Sequence, residues 1–303
     1  MRVAIDTNGL YTGQAGGARY IRGLLRGLGN IHTDVDWFSI AWEVENLAYR
    51  QPMRACKTAF RELFWANFMA PRLLRRSAAD IYHATGSYFI RVPPRVKSVV
   101  TLHDLAVLRT PQRFRPWQRW SETRRFQRLK HVDRVICISR FTADEAMHLI
   151  GLPSSRIEIV YNGGDFQPHD PATPEQAPDF PLPAEFFLFV GSLEPGKNLA
   201  LLRETYQMAA REGKLLPPLI VVGVRWAGVG TEGEAPAGWQ YVGRQPDAVL
   251  VYLYRRALAF AFPSKYEGFG LPVVEAMVLG CTVICSPVSV GSSIRQLGDH
   301  ASE

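Results

Sequence analysis

Short apolar segments of strand length alternate with longer segments of helical periodicity along nearly the whole chain. The strand-like segments include RVAID, DIYHAT, SVVTLHD and RVICIS in the first half, and EFFLFVGS, PPLIVVGV, LAFAFPS and CTVICS in the second. Between them lie helix-like segments such as ARYIRGLLRGLG and KNLALLRETYQMAAREG. Because the strand segments are continuously apolar, we predict parallel sheets that are covered by helices on both faces. The sequence therefore predicts an α/β protein built from βαβ units.

A proline-rich segment, QPHDPATPEQAPDFPLP, interrupts this alternation near the middle of the 303 residues. It has no apolar periodicity, which is typical of a linker. We therefore predict a first Rossmann-like, doubly wound domain at residues 1–165, a linker at residues 166–184 and a second such domain at residues 185–303. We expect these domains to face a cleft in which a ligand binds at the strand ends.

Positive charge is concentrated in the first half of the chain. Residues 1–165 contain 25 Lys and Arg against 14 Asp and Glu, a net charge of +11, whereas the whole chain carries +7. This imbalance predicts an anionic partner. An anionic membrane surface ranks above nucleic acid, because the sequence has no zinc-finger, RNA-binding or helix-turn-helix pattern.

The sequence also predicts a cellular compartment. It has no run of about 18 apolar residues that could span a membrane, and Asp6 comes too early for a signal peptide. Three of the four cysteines lie in apolar strand-like segments, so we expect no structural disulfide. We therefore expect a cytoplasmic protein that is peripheral at the inner face of the membrane.

Two short motifs fit known binding sites poorly. GVGTEG, at residues 228–233, matches the dinucleotide-binding glycine pattern but does not lie between a strand and an apolar helix. Asp34 and Asp36 form an acidic pair, yet two carboxylates without a third ligand hold a divalent cation weakly. We interpret both motifs as solvated loops and expect no cofactor and no metal.

The segment GSLEPGKN, at residues 191–198, joins a predicted strand to a predicted helix. It nearly matches the phosphate-binding P-loop, but Asn198 replaces the Ser or Thr that would hold magnesium. Glu194 and Pro195 also hinder a cradle of backbone N–H groups. The ammonium of Lys197 and the helix N-terminus remain, and together they favour contact with phosphate. A magnesium-dependent P-loop nucleotide hydrolase is the less favoured alternative.

The most informative segment is FPSKYEGFGLPVVEA, at residues 262–276. An apolar strand ends here in a loop that contains Gly268 and Gly270, and a helix is predicted to follow. The glycines permit close approach of backbone to a ligand, and the helix N-terminus offers N–H groups to phosphate. We expect Glu267 and Glu275 to flank this loop and to accept hydrogen bonds from sugar hydroxyl groups.

These two glutamates and their loop resemble the donor-site signature of the retaining glycosyltransferases of family 4, which have the GT-B fold. Other segments match family landmarks, namely TGQAGGARYIRGLL, HDLAVLRTP, VICISRFTADE and VGSLEPGKNL. The resemblance implies a hexosyltransferase that moves a sugar from a GDP- or UDP-linked donor to a lipid-linked or glycan acceptor. It also implies retention of configuration, independence of metal, and a role in the synthesis of cell-surface polysaccharide or glycolipid.

The resemblance implies roles for individual residues. Glu267 is expected to contact the donor sugar, His103 to face the reacting sugar or acceptor, and Lys197 to contact the donor phosphates. These are the three catalytic candidates, and Glu275 is expected at the ribose. The other expected donor-binding residues are Gly16, Gly17, Ser192, Gly268, Phe269, Gly270 and Leu271.

Two features depart from the family pattern. Members often carry a basic residue where this chain has Ser192 and Gly196, so we expect Lys197 to be the only side-chain cation on the donor phosphates. The chain also stops at Glu303, where members usually continue with further helices. We therefore expect an incomplete second domain with exposed apolar surface and weak transfer activity. The alternative is a non-catalytic protein that only binds sugar nucleotides.

Aromatic residues recur at helical spacing in residues 60–68, which places Phe60, Phe64 and Phe68 on one face. Core packing is the predicted use of this stripe. Arginines near the stripe, and those of RTPQRFRPWQRWSETRRFQRLK, predict an interfacial surface for a lipid-linked acceptor. The arginines near the stripe are Arg61, Arg72, Arg75 and Arg76.

Overall fold

The computed structural model describes residues 1–11, 15–31, 34–42, 53, 56–57, 60–163, 175–225 and 235–286. The chain divides into two compact units, Met1–Gly163 and Gly164–Glu303. Each unit is an α/β structure with its own parallel sheet. The predicted class of two Rossmann-like units is confirmed, whereas the predicted linker boundaries stay a prediction.

The sheet of the first unit has six strands in the order β2-β1-β3-β4-β5-β6, and its neighbouring strands are parallel. Val100, Leu102 and Val135, on adjacent central strands, are completely buried, as expected for a parallel sheet covered on both faces. The strands coincide with the apolar segments of the sequence: β1 (Arg2–Asp6), β2 (Asp36–Ile40), β3 (Ile81–Ala84), β4 (Lys97–Leu102), β5 (Arg134–Cys137) and β6 (Ile157–Ile159).

Helices connect these strands. A π-helical segment, Arg61–Met69, leads into α2, and a second, Ala146–Ile150, follows α5. The Ser139 hydroxyl caps α5 by accepting a hydrogen bond from the Thr142 N–H. The α-helices of this unit are α1 (Ala15–Asn30), α2 (Ala70–Arg76), α3 (Ala106–Arg109), α4 (Pro116–Arg128) and α5 (Arg140–Glu145).

The second unit has a five-stranded parallel sheet in the order β11-β10-β7-β8-β9. Pro272 lies in the first turn of its last described helix, as the sequence predicted. The strands are β7 (Phe187–Val190), β8 (Leu219–Val222), β9 (Trp239–Gly243), β10 (Ala259–Phe262) and β11 (Val283–Cys285), and the helices are α6 (Leu199–Arg211), α7 (Asp247–Arg256) and α8 (Leu271–Val278).

The strand order of the second unit reverses at β7. The chain proceeds from β7 to β8 and β9 on one side, and β10 then pairs with the other side of β7. The loops that follow β7 and β10 therefore leave the same edge of the sheet in opposite directions. Open α/β sheets bind their ligands in the crevice at such a position.

The end of the predicted linker packs on the second unit. Phe180 and Leu182 contact its hydrophobic core, and the Gln176 N–H donates to the Ala248 carbonyl at 3.1 Å. Glu175 forms ion pairs with Arg255 and Arg256 of α7. The part of the linker that the structure describes is therefore held against this unit.

The predicted core packing of the phenylalanine stripe is wrong. Phe60, Phe64 and Phe68 are 39%, 46% and 50% exposed, and their successive ring centroids are 5.1 and 5.5 Å apart. Trp65 and Ala66 instead fill the core side of the π-helical segment. Because these two residues directly follow Phe64 in the helix, their burial turns the stripe towards solvent.

Some predictions concern residues outside the described part of the chain. The glycine pattern at 228–233 and the terminal residues 287–303 both lie there, so the expectations for them stay predictions. Within the described residues, no helix is both long enough and apolar enough to cross a membrane.

Candidate active site

Two loops meet at the edge of the second sheet where the strand order reverses. One follows β7 and leads into α6, and the other follows β10 and leads into α8. The Lys265 N–H donates a hydrogen bond to the Gly196 carbonyl at 2.9 Å, which ties the two loops together. The structure thus brings together the two segments that the sequence singled out for phosphate and sugar recognition.

An ion pair lies between these loops. The Nζ atom of Lys197 contacts Oε1 of Glu267, and the two side chains are only 18% and 14% exposed. The ammonium also lies 5.3 Å from the centre of the Phe262 ring. The two catalytic candidates of this unit are therefore direct partners in a largely desolvated position, where charges interact more strongly than in water.

The loop after β7 is shaped by an internal carboxylate. Glu194 is buried, and its Oε2 atom accepts a hydrogen bond from the Gly196 N–H at 2.7 Å. A short 3₁₀ turn, Pro195–Lys197, follows, and Asn198 takes a left-handed conformation before α6. The Glu194 carboxylate thus accepts a hydrogen bond from a backbone N–H group that a P-loop would offer to phosphate. This argues against the nucleotide hydrolase alternative.

The loop after β10 presents a helix N-terminus. Gly270, with φ 85°, precedes α8, and the Val273 N–H donates to its carbonyl at 2.9 Å. A positive φ of this size favours glycine, which has no Cβ. Gly268 and Phe269 are buried beside it, and Leu271 begins the helix. Because Pro272 has no N–H and the Val273 N–H is bonded to Gly270, the Leu271 N–H is the group that the start of α8 places at the same sheet edge as Lys197.

Glu275 lies deeper than the sequence predicted. It is the fifth residue of α8, is 1% exposed, and its Oε2 atom is 3.5 Å from the Tyr254 hydroxyl. The sequence places Glu275 beside the helix N-terminus, and the structure shows it just past the first turn of α8 and buried, because α8 packs this face against α7. Its predicted contact with the ribose stays a prediction.

His103, in the first unit, directly follows β4. Its Nε2 atom lies 2.8 Å from the Thr85 carbonyl oxygen, and Tyr20 packs edge-on against its ring with centroids 4.9 Å apart. Burial lowers the pKa of His103 below its ordinary value. Since a carbonyl only accepts, Nε2 carries the proton in the neutral ring, and Nδ1 keeps its lone pair.

Asp104 does not orient this imidazole. Its carboxylate accepts a hydrogen bond from the Ala106 N–H at 2.9 Å and so starts the turn into α3. The partner that positions His103 is therefore the Thr85 carbonyl, which lies at the end of the neighbouring strand β3.

A buried polar network lies near His103 at the strand ends. The Thr101 hydroxyl contacts both Nε2 of His83, at 2.8 Å, and the Tyr20 hydroxyl, at 3.0 Å. Burial lowers the pKa of His83 to about 4 and raises that of Asp6, which accepts from the Tyr82 hydroxyl at 2.6 Å, to about 6. Both shifts favour the neutral forms, as burial in a low dielectric does.

Comparison with protein families identifies the chain. Residues 15–167 match the family model for Glycosyltransferase Family 4, and residues 173–300 match that for Glycosyl transferases group 1. The chain belongs to glycosyltransferase family 4. Over 226 residues it is 34% identical to O-antigen chain mannosyltransferase B of Escherichia coli. That match covers 69% of this chain and 57% of the relative, so the chain spans little more than half of that protein's length.

Solved structures show the same fold as this chain. Sucrose-phosphate synthase from Thermosynechococcus elongatus has a TM-score of 0.62 at 17% identity, with 95% of this chain and 82% of that chain covered. WaaG, a glycosyltransferase involved in lipopolysaccharide biosynthesis, has a TM-score of 0.59 at 15% identity, with 99% and 84% covered. The fold is GT-B, as the resemblance implied.

The predicted site residues of this chain are divided between its two units. Gly16 and Gly17 lie in the first turn of α1, and within the described residues no atom lies within 4 Å of an added Cβ at either position. His103 belongs to the same unit, whereas Ser192, half-buried after β7, and the remaining candidates belong to the second unit.

Sequence reasoning missed two residues at the strand ends of the second unit. Gly223, after β8, has φ 144°, and a Cβ there would lie 1.8 Å from the Gly191 carbonyl oxygen. Ser264 is fully buried after β10, and its hydroxyl has no hydrogen-bond partner among the described residues. Both stand directly after apolar strand segments, and that position was the signal in the sequence.

The described residues contain no group of three or more His, Cys, Asp or Glu side chains that could hold a metal ion. Asp36, from the acidic pair, forms an ion pair with Arg2 at 3.0 Å. The expectation that the chain needs no metal stays a prediction.

Proposed function

We propose that this chain transfers a mannosyl residue from a GDP- or UDP-linked donor to a lipid-linked or glycan acceptor. The choice of mannose comes from the similarity to an O-antigen mannosyltransferase, which also favours a role in cell-surface polysaccharide synthesis. The observation that carries the proposal is the contact between Lys197 and Glu267 where the strand order of the second sheet reverses.

The proposed reaction breaks the bond between C1 of the sugar and a β-phosphate oxygen. The acceptor hydroxyl oxygen forms the new bond to C1 with retention, and its proton passes to the departing diphosphate. Negative charge grows on the β-phosphate as the bond breaks. Lys197 and the Leu271 N–H at the start of α8 are the groups we assign to stabilise that charge. No metal takes part in this scheme.

Donor binding involves an exchange of partners in this proposal. The donor phosphates take the ammonium of Lys197, and the carboxylate of Glu267 then accepts hydrogen bonds from sugar hydroxyl groups. The pair therefore holds both charges in the absence of donor and separates them when donor binds. A neutral sugar alone cannot replace Glu267 as the partner of the ammonium, because it carries no negative charge.

His103 acts as a neutral hydrogen-bond acceptor in this proposal. The Thr85 carbonyl fixes the proton on Nε2, so Nδ1 is the ring atom that can accept from a hydroxyl of the sugar or the acceptor. The lowered pKa of His103 keeps that lone pair available at neutral pH.

We also propose that the protein acts at the cytoplasmic face of a membrane. The support is the +11 charge of residues 1–165 together with the exposed phenylalanine stripe. Basic and aromatic side chains together favour the headgroup region of an anionic bilayer.

The test incubates the protein with GDP-mannose, UDP-glucose or UDP-galactose and with mannose-terminated oligosaccharides, free or lipid-linked. Nucleoside diphosphate release and product mass are measured with and without EDTA, and the anomeric configuration is read by NMR. Transfer from GDP-mannose with retention in EDTA is the expected result. Donor binding without transfer would establish the non-catalytic alternative, and absence of both binding and transfer would overturn the proposal.

A further inference from the structure

A cationic pocket lies in the first unit, between the π-helical segment Arg61–Met69, residues 88–91 and helix α4. It encloses about 60 Å³, several times the space of about 10–15 Å³ that one water molecule requires. Arg91, Arg125 and Arg128 line it. The pocket thus has room for a small polyatomic anion and three guanidinium groups to hold it.

The carboxylates beside this pocket do not balance its positive charge. Glu62 pairs with Arg61 at 2.8 Å and with Arg125 at 3.6 Å, and Glu122 pairs with Arg125 at 2.6 Å. Neither Arg91 nor Arg128 has a carboxylate within 4.0 Å in the described part of the chain. Two guanidinium groups of the pocket are therefore left without an ion-pair partner.

The surroundings of Arg128 make its unpaired positive charge unfavourable. Its guanidinium lies 4.6 Å from the centre of the Phe89 ring. Burial and the adjacent charge of Arg125 lower the pKa of Arg128 below its ordinary value. An anion in the pocket would relieve this repulsion, because opposite charge favours the protonated form.

The lining also offers an unused polar group. The Tyr88 ring lies between the guanidinium groups of Arg61 and Arg125, 4.9 and 5.1 Å from its centre. Its hydroxyl is buried and has no hydrogen-bond partner within the described residues. Because these guanidinium groups lie over the ring, Tyr88 holds the Arg125 side chain beside the pocket, and its unpartnered hydroxyl is a buried polar group that the described part of the fold leaves unsatisfied.

Exposed apolar side chains belong to the same two helical elements as the lining of this pocket. The phenylalanine stripe and Leu63, which is 72% exposed, belong to the same π-helical region as Glu62 and Asn67 of the lining. Helix α4, which supplies Arg125 and Arg128, also exposes Trp117 and Trp120. Exposed aromatic groups beside guanidinium groups match the boundary between lipid chains and phosphate headgroups.

We propose that Arg91, Arg125 and Arg128 bind the phosphate of an anionic lipid headgroup while the phenylalanine stripe enters the adjacent interface of the membrane. Phosphate matches the planar, forked donors of arginine, which can bind it through two parallel hydrogen bonds. The site is distinct from the donor loops of the second unit, and its binding does not depend on the transfer reaction.

The test measures co-sedimentation with vesicles of phosphatidylcholine alone and of phosphatidylcholine mixed equally with phosphatidylglycerol. Variants R91Q, R128Q and F64S are compared with R134Q, which removes an exposed arginine at the start of β5. We expect R91Q and R128Q each to weaken binding to the anionic vesicles about fivefold. F64S should weaken it as well, whereas R134Q should change it less than twofold. Thermal unfolding and circular dichroism verify that each variant is folded.

Inorganic phosphate distinguishes the two sources of the anion. If it binds the wild type through Arg128 and vesicle binding is unchanged in R128Q, the pocket is a site for a soluble phosphate and the lipid proposal is overturned. An equal loss of vesicle binding in R134Q and R128Q would also overturn the lipid proposal. The attachment would then depend on the total positive charge of the surface and not on this pocket. Because these measurements need no sugar donor, their failure is separate from failure of the transfer assay.

Discussion

Replacing Lys197 by Met removes the ion pair between the two donor-site loops and so tests its contribution. The change leaves the carboxylate of Glu267, only 14% exposed in the wild type, without its cation. Removing one partner of a buried pair destabilises a protein by about 3–5 kcal/mol, and we take about 3 because both side chains keep some contact with solvent. For a unit of this size, that corresponds to a melting temperature roughly 10 °C lower.

The double variant K197M/E267Q separates stability from function. Two neutral side chains leave no unpaired charge, so we expect the double variant to recover about 2 kcal/mol relative to K197M. In the double variant, sugar transfer should remain tenfold to a hundredfold slower than in the wild type. A hydrogen bond to a charged group contributes about 1.5–3 kcal/mol, or one to two decades in rate.

The assay combines chemical denaturation of the second unit with the initial rate of nucleoside diphosphate release. Lys265 provides the matched control. It is a lysine in the loop after β10, the loop that contains Glu267, but its side chain is exposed. K265M should change neither quantity appreciably. The reasoning is refuted if K197M is as stable as the wild type, or if the double variant transfers sugar at the wild-type rate.

Further predictions concern packing, pH and metal. Gly223→Ala should lower donor affinity at least tenfold in calorimetry, because its Cβ would lie 1.8 Å from the Gly191 carbonyl oxygen and displace the loop. His83, with its pKa lowered from 6.5 to about 4, should contribute about 3 kcal/mol that is complete above pH 6.5 and lost as the pH falls to 4. Subtracting the denaturation curves of H83N from those of the wild type measures this contribution, and a flat difference would contradict it. Glu275→Gln should weaken donor binding while leaving the melting temperature within a few degrees, whereas Glu275→Ala should also destabilise α8. Transfer should be unchanged in EDTA, and restoration by added magnesium would contradict the metal-free scheme.

The apolar segments predicted the strands because a parallel sheet buries both faces of each strand. The sequence could not reveal the order of those strands. That β10 pairs with β7 rather than following β9 is a property of tertiary packing. Lys197 and Glu267, 70 residues apart, were each singled out from local chemistry, but their contact depends on that strand order.

Burial was the harder property to predict. A stripe of phenylalanine at helical spacing is compatible with either face of a helix, and the burial of Trp65 decides between them. Glu275 was expected beside the helix N-terminus, at the strand-to-helix loop rather than in a core. Its position in α8, against α7, follows from packing that no local pattern contains.

The pairing of charges, rather than their number, identifies the positions that await a ligand. Arg109 and Glu145 form a bidentate pair with distances of 2.7 and 2.5 Å, so each charge is satisfied within the chain. Arg128 has no carboxylate within ion-pair distance among the residues that the structure describes, and the partner of Lys197 is a residue with a second proposed task at the sugar. A partly desolvated charge without a counter-charge is unfavourable until an opposite charge arrives, whereas a paired charge binds a ligand by exchanging its partner. We assign a lipid phosphate to the first kind of position and a donor diphosphate to the second.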